Sequence, residues 1–238
     1  MSLNEEQIKN AVRKRYSELA VSKEPCCDSS CCTTTEKGVD IPSEALQVGA
    51  SCGSPLTHTK VEEGQVVLDL GSGGGIDVFQ ASKLVGQTGR VIGLDATPEM
   101  IFRARETAKN HGYRNVEFRL GEIEHMPIES DSIDLVISNC VLCLVPDKRA
   151  GFREIYRVLK PGGKISISDM VATQEAKKII NPEEWAACVA GAVTFNEYKG
   201  MLEETGFKEI KALDEPADEE MISKGIQVKS VTWMARKP

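Results

Sequence analysis

The sequence has no hydrophobic run long enough to cross a membrane and no concentration of basic residues. A membrane helix needs roughly 18 consecutive apolar residues, and the first residues, MSLNEEQIKNAVRKRY, lack the apolar centre of a signal peptide. With 29 basic against 36 acidic residues, the net charge is −7, which argues against a phosphate-tracking surface. We therefore predict a cytoplasmic protein that acts on a small molecule and neither binds nucleic acid nor enters a membrane.

Histidine is scarce and cysteine is abundant. None of the three histidines (His58, His111 and His125) lies at the end of a predicted strand, so no histidine is placed as an obvious general base. The chain has eight cysteines, and in a reducing compartment cysteines are more often metal ligands or catalytic thiols than disulfides. Four of the eight lie in PCCDSSCCTTTEKG, a polar segment that predicts a loop.

The order of apolar patterns predicts one main α/β domain. With 41% hydrophobic residues in 238 positions, the chain can bury one substantial core. A helix over residues 2–20, with a capping box of Ser2 and Glu5, precedes the Cys-rich loop. We divide the chain into residues 1–50, the helix and loop, and residues 51–238, the main domain with an insert near 170–195. Strands are predicted at 66–70, 90–95, 115–120, 133–139, 164–169, 207–213 and 227–235, with helices through about 85, from 97, over 147–159 and over 196–205.

This alternation of strands and helices is typical of a mostly parallel, seven-stranded sheet with helices on both faces. The helix over 147–159 is predicted to end at KPGGK, where a proline and two glycines interrupt it. The last two strands follow each other without a long helix between them, which predicts an antiparallel strand at or near one edge of the sheet.

A glycine-rich turn, Gly71-Ser72-Gly73-Gly74-Gly75, lies between the first predicted strand and the next helix, and Asp69 precedes it on the strand. Such a turn lets the backbone approach a ligand that faces the helix N-terminus. The dinucleotide fingerprint requires a glycine at the sixth position, where this chain has Ile76. The pattern therefore favours a ligand without phosphates, bound through an amino-acid part and an adenosine.

Polar residues also end the next three strands. Asp95, 20 residues after Gly75, is placed to accept hydrogen bonds from ribose hydroxyls. Glu122 and Ile123 follow the third strand and are expected to border an adenine. Asn139 ends the fourth strand, beside the point where we expect the strand order to reverse. Each residue alone is also consistent with a turn or surface position, but together they predict one adenosine-containing ligand.

The segments VLDLGSGGG, GLDATPEM, EIEHMP, DLVISN and RVLKPGG together resemble the successive motifs of class I S-adenosylmethionine-dependent methyltransferases over about residues 60–170. The resemblance implies a Rossmann-like fold and S-adenosyl-L-methionine as cofactor. It further implies a cofactor site formed by Asp69, Gly71, Ser72, Gly73, Gly75, Asp95, Met100, Glu122, Ile123 and Asn139.

Three cysteines lie in segments that are expected to meet at the carboxyl edge of the sheet. Cys52 precedes the first strand, Cys140 follows Asn139 directly, and Cys188 follows the fifth strand. Three thiolates around one point suit a soft, trivalent metalloid, although a single cysteine at a strand end is more often a small buried apolar residue. We interpret Cys143 as core packing, with a spare thiol or a substitute ligand as the alternatives.

The segments SCGSP, SNCVLCLVPDK, EEWAACVAGA and CCDSSCC together resemble arsenite methyltransferases, which extends the similarity over most of residues 10–207. This resemblance implies that Cys52, Cys140 and Cys188 bind arsenic as catalytic ligands and that the insert near 170–195 is arsenic-binding. Two positions depart from the family pattern: Ser51 replaces the usual glycine, and Cys143 replaces a residue that is commonly asparagine. Capture of arsenic, a redox role and an unstructured thiol-rich tail all stay open for Cys26, Cys27, Cys31 and Cys32, whose spacing fits a zinc site poorly.

The resulting hypothesis is arsenic detoxification by methylation of an arsenite–thiol adduct, supported by an external thiol reductant of the glutathione or thioredoxin type. A monomer is the favoured oligomeric state. One alternative is a small-molecule C- or O-methyltransferase that acts on a quinone-type acceptor, which would leave the dispersed cysteines without a role. The second alternative is a metalloid-binding protein without turnover. It would leave Asp69, the glycine turn and Asp95 without a role.

Overall fold

The computed structural model describes residues 4–22, 41–47, 54–172, 185–186, 190–213 and 228–238. Its helices are α1 (Glu5–Ser22), α2 (Ser43–Leu46), α3 (Ile76–Leu84), α4 (Pro98–Asn110), α5 (Lys148–Val158) and α6 (Phe195–Thr205). Its strands are β1 (Val66–Leu70), β2 (Arg90–Asp95), β3 (Val116–Leu120), β4 (Ile133–Asn139), β5 (Leu159–Ala172), β6 (Val193–Thr194), β7 (Lys208–Leu213) and β8 (Val228–Arg236). A 3₁₀ turn at Leu142–Leu144 follows β4. Across these ranges, no helix has both the length and the apolar composition of a membrane span.

The strands form one sheet in the order β3-β2-β1-β4-β5-β8-β7, and the two-residue β6 pairs with the end of β5. Strands β1 to β5 run parallel, whereas β8 is antiparallel to both β5 and β7. The structure confirms the predicted fold class, with β6 as a short addition to the seven strands. From β1 the chain proceeds outward to β3 on one side and restarts at β4 on the other. The carboxyl ends of β1 and β4 therefore flank a crevice of the kind in which open α/β sheets bind ligands.

Apolar side chains cover both faces of the sheet. Leu68 and Leu70 of β1 belong to one buried cluster, to which α5 and α6 contribute Phe152 and Tyr198. Val67 of β1 belongs to the opposite cluster, which includes residues of α3 and α4. Neighbouring side chains on a strand point to opposite faces, so a strand that is apolar at successive positions is buried from both sides. This arrangement fixes the carboxyl ends of the central strands in place.

Helix α1 begins later than the sequence pattern predicts. Asn4 Oδ1 accepts the Gln7 N–H at 2.8 Å, and Gln7 Oε1 accepts the Asn4 N–H at 3.2 Å. This reciprocal pair is a capping box at the start of α1, whereas the predicted box of Ser2 and Glu5 rests on Ser2, which lies outside the described residues. Asparagine is as favourable as serine at the N-cap, and glutamine is an accepted partner three residues later. The same spacing therefore fits two neighbouring positions.

Strand β5 begins within the segment that was predicted to be a break. The helix before it does end at Val158, but the chain continues directly as a strand through KPGGK. Between the pairs Ile133–Leu159 and Leu135–Lys164, two steps along β4 correspond to five along β5. The extra residues form a bulge, which is where proline and glycine are tolerated within a strand.

Candidate functional site

A cavity lies at the carboxyl ends of β1, β2 and β4, in the crevice beside the point where the strand order reverses. Its lining includes nine of the ten residues predicted to hold the cofactor: Asp69, Gly71, Ser72, Gly73, Asp95, Met100, Glu122, Ile123 and Asn139. Four separate strand ends and the start of α4 contribute these residues. Their convergence follows from the shared edge of parallel strands, on which the prediction was based.

The tenth residue, Gly75, lies outside the cavity lining. It is the N-cap of α3 with φ of +93°, and an added Cβ would lie 2.8 Å from Phe79 Cε2. Gly71 does line the cavity, with φ of +65°, and an added Cβ there would lie 2.3 Å from Val141 Cγ2. Both glycines let the turn follow a path that a side chain would block. At Gly75 the space is taken by Phe79 and Phe118, so this glycine allows the turn to pack against the sheet.

Asp95 fixes the shape of the cavity floor at the end of β2. Its Oδ2 accepts the Gly73 N–H at 2.9 Å, and its Oδ1 accepts the Thr97 N–H at 2.8 Å. The carboxylate thus ties the glycine turn to the start of α4, where Thr97 is the N-cap residue and makes no side-chain capping bond. Burial raises the pKa of Asp95, and these backbone hydrogen bonds oppose the rise. The Thr97 hydroxyl and the Ala96 N–H also donate to this carboxylate, which fixes its orientation at the end of β2.

Three carboxyl groups surround the glycine turn, and the sequence analysis identified only two of them. Asp77, in the first turn of α3, joins Asp69 and Asp95 in the cavity lining. Burial raises the pKa of Asp69 well above its usual value, and the charges of Asp77 and Asp95 raise it further. Burial also raises the pKa of Asp77 to about 6, against a hydrogen bond from Asn139 Nδ2 at 3.4 Å. The sequence signal that could have identified Asp77 is an acidic residue in the first turn of the helix that follows a glycine-rich loop.

Helix α1 covers one side of the cavity. Lys9 Nζ lies 2.6 Å from Glu122 Oε2 and 3.0 Å from Glu124 Oε1, and Arg13 also pairs with Glu122. Val12 and Tyr16 add apolar surface to the lining, which also contains Lys9 and Arg13. Both oxygens of Glu122, which was predicted to border an adenine, are thus engaged by α1.

The two ion pairs set the electrostatics of this wall. Burial alone would raise the pKa of Glu122, but the hydrogen bond and charge of Lys9, with the charge of Arg13, outweigh it and lower the pKa. Both basic residues of the cavity lining are therefore directed to glutamates. The carboxyl groups of Asp69, Asp77 and Asp95 instead form an acidic wall around the glycine turn, which favours a cationic ligand.

Cys140 lines the same cavity, directly after β4. It is 4% exposed, and its N–H donates to Ser168 O at 2.8 Å. Its φ of +59° is unusual for a residue with a side chain, and it turns the chain sharply from β4 into the 3₁₀ turn. A thiol therefore lies at the wall of the predicted cofactor cavity.

The other predicted thiols are not described by the structure. Cys52, Cys188, Cys26, Cys27, Cys31 and Cys32 lie outside the described residues. The convergence of Cys52 and Cys188 on Cys140 therefore stays a prediction. Cys143 is described and is 1% exposed. Its Sγ donates to Cys140 O at 3.6 Å, and the residue is not part of the cavity lining, which favours the packing interpretation.

Comparisons with known proteins identify the domain around this cavity. A family model described as a methyltransferase domain matches residues 61–206. A crystal structure of an arsenic(III) S-adenosylmethionine methyltransferase from Chlamydomonas reinhardtii is similar with a TM-score of 0.67 and 32% identity, over 83% of this chain and 70% of that one. A ubiquinone/menaquinone biosynthesis C-methyltransferase from Klebsiella pneumoniae is 37% identical over 51% of this chain and 47% of that protein.

Relatives named arsenite methyltransferase match a larger part of the chain. The protein from Halobacterium salinarum is 40% identical over 263 aligned positions, covering 98% of this chain and 67% of that protein. The human protein is 32% identical over 87% of this chain and 60% of its own length. The chain spans between 44% and 60% of the human and three further arsenite methyltransferases, so it matches only part of these longer proteins. These similarities show that the chain belongs to the arsenite methyltransferase family and carries the methyltransferase domain of that family.

Proposed function

We propose that this protein transfers a methyl group from S-adenosyl-L-methionine to trivalent arsenic held by cysteine thiolates, and thereby contributes to arsenic detoxification. One observation carries the proposal: the thiol-bearing residue Cys140 lies in the same cavity lining as Asp69, Asp77 and Asp95. Acidic groups favour a cationic methyl donor, and a thiolate favours a soft metalloid. Family membership supports the combination of the two.

The residues of the cavity fit S-adenosyl-L-methionine. The Ser72 hydroxyl is buried without a hydrogen-bond partner in the part of the chain that the structure describes, and a Cβ built on Gly73 meets nothing within 4 Å. A buried, unsatisfied hydroxyl on a residue of the cavity lining favours a ligand that supplies the missing partner. We assign the ribose hydroxyls to Asp95 and the cationic groups to the wall formed by Asp69 and Asp77.

When bound, this cofactor supplies an electrophilic methyl group on a positively charged sulfur. The protein's part is then to hold the arsenic with its lone pair directed at that methyl group. An arsenite–thiol adduct would exchange its thiols for the protein thiolates, with Cys140 as one ligand and Cys52 and Cys188 as the predicted others. The lone pair carries no proton, so no general base is needed, and the described cavity lining contains no histidine. Orientation of this kind can supply about 7–11 kcal/mol of a barrier.

The proposal also assigns a role to the N-terminal part of the chain. We assign residues 1–50 to a unit made of α1 and the Cys-rich segment, and residues 51–238 to the catalytic domain with its arsenic-binding insert near 170–195. Helix α1 contributes Lys9 and Arg13 to the cofactor cavity. We propose capture or redox chemistry for Cys26, Cys27, Cys31 and Cys32, together with an external thiol reductant of the glutathione or thioredoxin type.

The direct test is to incubate the protein with methyl-labelled S-adenosyl-L-methionine, arsenite and glutathione. We expect labelled methylarsenicals that depend on both arsenite and protein. Labelled product with a quinol and none with arsenite would instead support a small-molecule C- or O-methyltransferase, the class named for the Klebsiella relative. Tight arsenite binding without labelled product would support a metalloid-binding protein without turnover.

The affinity for the cofactor should rise with pH between 5 and 7. Asp77 has a pKa of about 6 because burial disfavours its charged form, so the acidic wall gains negative charge over this range and attracts the cation more strongly. Isothermal titration calorimetry with S-adenosyl-L-methionine should show the rise. The Asp77→Asn variant should show a smaller one, as should S-adenosylhomocysteine, which lacks the sulfonium charge.

The same ionisation affects the protein without ligand. A carboxyl pKa raised above its value in the unfolded chain means that the folded state holds the proton more tightly. The contribution of Asp77 to the free energy of unfolding is therefore fully present below the pKa that this group has in the unfolded chain, and it is lost as the pH rises through about 6.

An affinity for the cofactor that does not change between pH 5 and 7, or that changes equally in Asp77→Asn, would contradict the role of Asp77 in binding the cation.

A further inference from the structure

Side chains from two other parts of the chain hold the turn that carries Cys140. Lys148 Nζ donates to Cys143 O at 3.2 Å and to Val145 O at 2.8 Å. Trp185 Nε1 donates to Leu144 O at 3.0 Å. Three successive carbonyls of the turn are thus bound by side chains, and the proposed methyl transfer uses none of these contacts.

The ammonium group of Lys148 is costly to bury, so its position needs a physical reason. Lys148 is the first residue of α5 and is 6% exposed. Removing a charge from water is compensated only where hydrogen bonds and opposite charges replace the water. Here two carbonyls accept from Nζ, and the Trp185 ring lies 5.2 Å away in a cation–π contact. Burial lowers the pKa of Lys148, against the charges of Cys143, Asp169 and Glu124.

Gly191 brings the backbone of the same segment against the turn. An added Cβ at Gly191 would lie 2.0 Å from Cys143 O and 2.7 Å from Trp185 Cε2. No side chain can be accommodated at that distance, so glycine allows the two backbones to meet. Ala190 and Ala192, on either side, are 5% and 2% exposed. The described residues from 185 to 192 therefore pack closely on the turn that follows Cys140.

The opposite side of the turn is fixed to the sheet. Asp169 Oδ1 accepts the Cys143 N–H at 3.3 Å and the Met170 N–H at 2.9 Å. Tyr198 donates from its hydroxyl to Asp169 Oδ2 at 3.4 Å. Asp169 and Tyr198 are both fully buried. The turn is therefore held by β5 on one side and by Lys148, Trp185 and Gly191 on the other.

We infer that Lys148, Trp185 and Gly191 are positioning residues that set the spacing between Cys140 and the described residues 185, 186 and 190–192, and that this spacing governs affinity for the arsenic substrate and not for the cofactor. The inference rests on the proposed function, in which this segment also supplies the predicted ligand Cys188. Thiolates that share one arsenic atom tolerate little change in their separation, and a displacement of about 1 Å can cost about 100-fold in rate.

The test uses the full chain with Lys148→Met, Lys148→Arg and Trp185→Phe. Lys148→Met removes the donor, Lys148→Arg restores one, and Trp185→Phe removes the indole N–H while keeping a ring. We expect Lys148→Met and Trp185→Phe to raise the KM for arsenite and the Kd for phenylarsine oxide by about 10-fold, the effect of about 1.4 kcal/mol. Lys148→Arg should recover at least half of that loss on a logarithmic scale, and the Kd for S-adenosyl-L-methionine should stay within threefold in all three.

Lys237 offers a matched control. Its Nζ donates to Tyr156 O at 2.9 Å and to Leu159 O at 2.7 Å, and it lies 4.8 Å from the Tyr156 ring centroid. Lys237→Met removes the same kind of carbonyl and ring contacts, together with an ion pair to Asp131, away from the cavity lining, so it should lower the Tm without changing the arsenite KM. Unchanged arsenical affinity in Lys148→Met and Trp185→Phe, or an equal loss of cofactor affinity, would overturn the inference. If the unmodified protein binds phenylarsine oxide but methylates no arsenite, the proposed activity fails while the Kd comparison still decides this inference.

Discussion

Cys140→Ser should abolish arsenite methylation and leave the affinity for S-adenosyl-L-methionine within a few-fold. Cys140 is a described thiol in the cavity lining, and a serine hydroxyl is a harder ligand that a soft metalloid accepts poorly. The two side chains have similar sizes, and both residues would adopt the same φ of +59°, so the backbone strain is unchanged. We expect a loss of at least about 100-fold in kcat/KM for arsenite, or about 2.7 kcal/mol.

Cys143→Ser is the matched control for this substitution. Cys143 lies three residues further along the same turn, outside the cavity lining, and its thiol donates to Cys140 O. A serine hydroxyl can make the same hydrogen bond, so we expect most of the activity to remain. Labelled methylarsenicals and calorimetric cofactor binding measure both properties. Full activity in Cys140→Ser, or equal losses in the two variants, would show that Cys140 is not an arsenic ligand.

The bounds of the central strands could be predicted from the sequence because a buried strand has a distinctive local composition. The predicted bounds of β1, β2 and β4 agree with the structure, since each is a short apolar run between turn residues. The start of β5 was wrong for a tertiary reason. Pro161 and the glycines after it do end a helix, but pairing with β4 lets the same residues form a bulged strand. Local propensity does not reveal a partner that lies elsewhere in the chain.

In the candidate site, the residues at strand ends could be predicted, whereas those contributed by helices α1 and α3 could not. Asp95 and Asn139 could be placed because the carboxyl ends of parallel strands share one edge, whichever helices surround them. The wall formed by Lys9 and Arg13 was missed because an apolar stripe on α1 shows that the helix packs, but not on which surface. Asp77 was missed because its first-turn position resembles ordinary helix capping by an acid. Its place in the acidic wall depends on the path of the glycine turn.

Asp95→Ala should weaken binding of S-adenosyl-L-methionine by about 10-fold to 100-fold, consistent with the loss of hydrogen bonds to a charged group worth about 1.5–3 kcal/mol. The carboxylate is held in place by the N–H groups of Gly73 and Thr97, so we expect it to accept the ribose hydroxyls without reorganisation. Its removal also frees the glycine turn, which adds to the loss. The Kd should be measured by calorimetry well below the Tm of the variant, so that unfolding does not contribute.

Asp134→Ala separates the loss of a ligand contact from the loss of a structural carboxylate. Asp134 accepts the Val66 N–H at 2.8 Å and pairs with Lys160 Nζ at 2.8 Å, so it also ties two segments together through one side chain. It lies near the start of β4, at the opposite edge of the sheet from the cavity. We expect a lower Tm and an unchanged cofactor Kd. If Asp95→Ala behaves in the same way, Asp95 shapes the turn but does not bind the ribose.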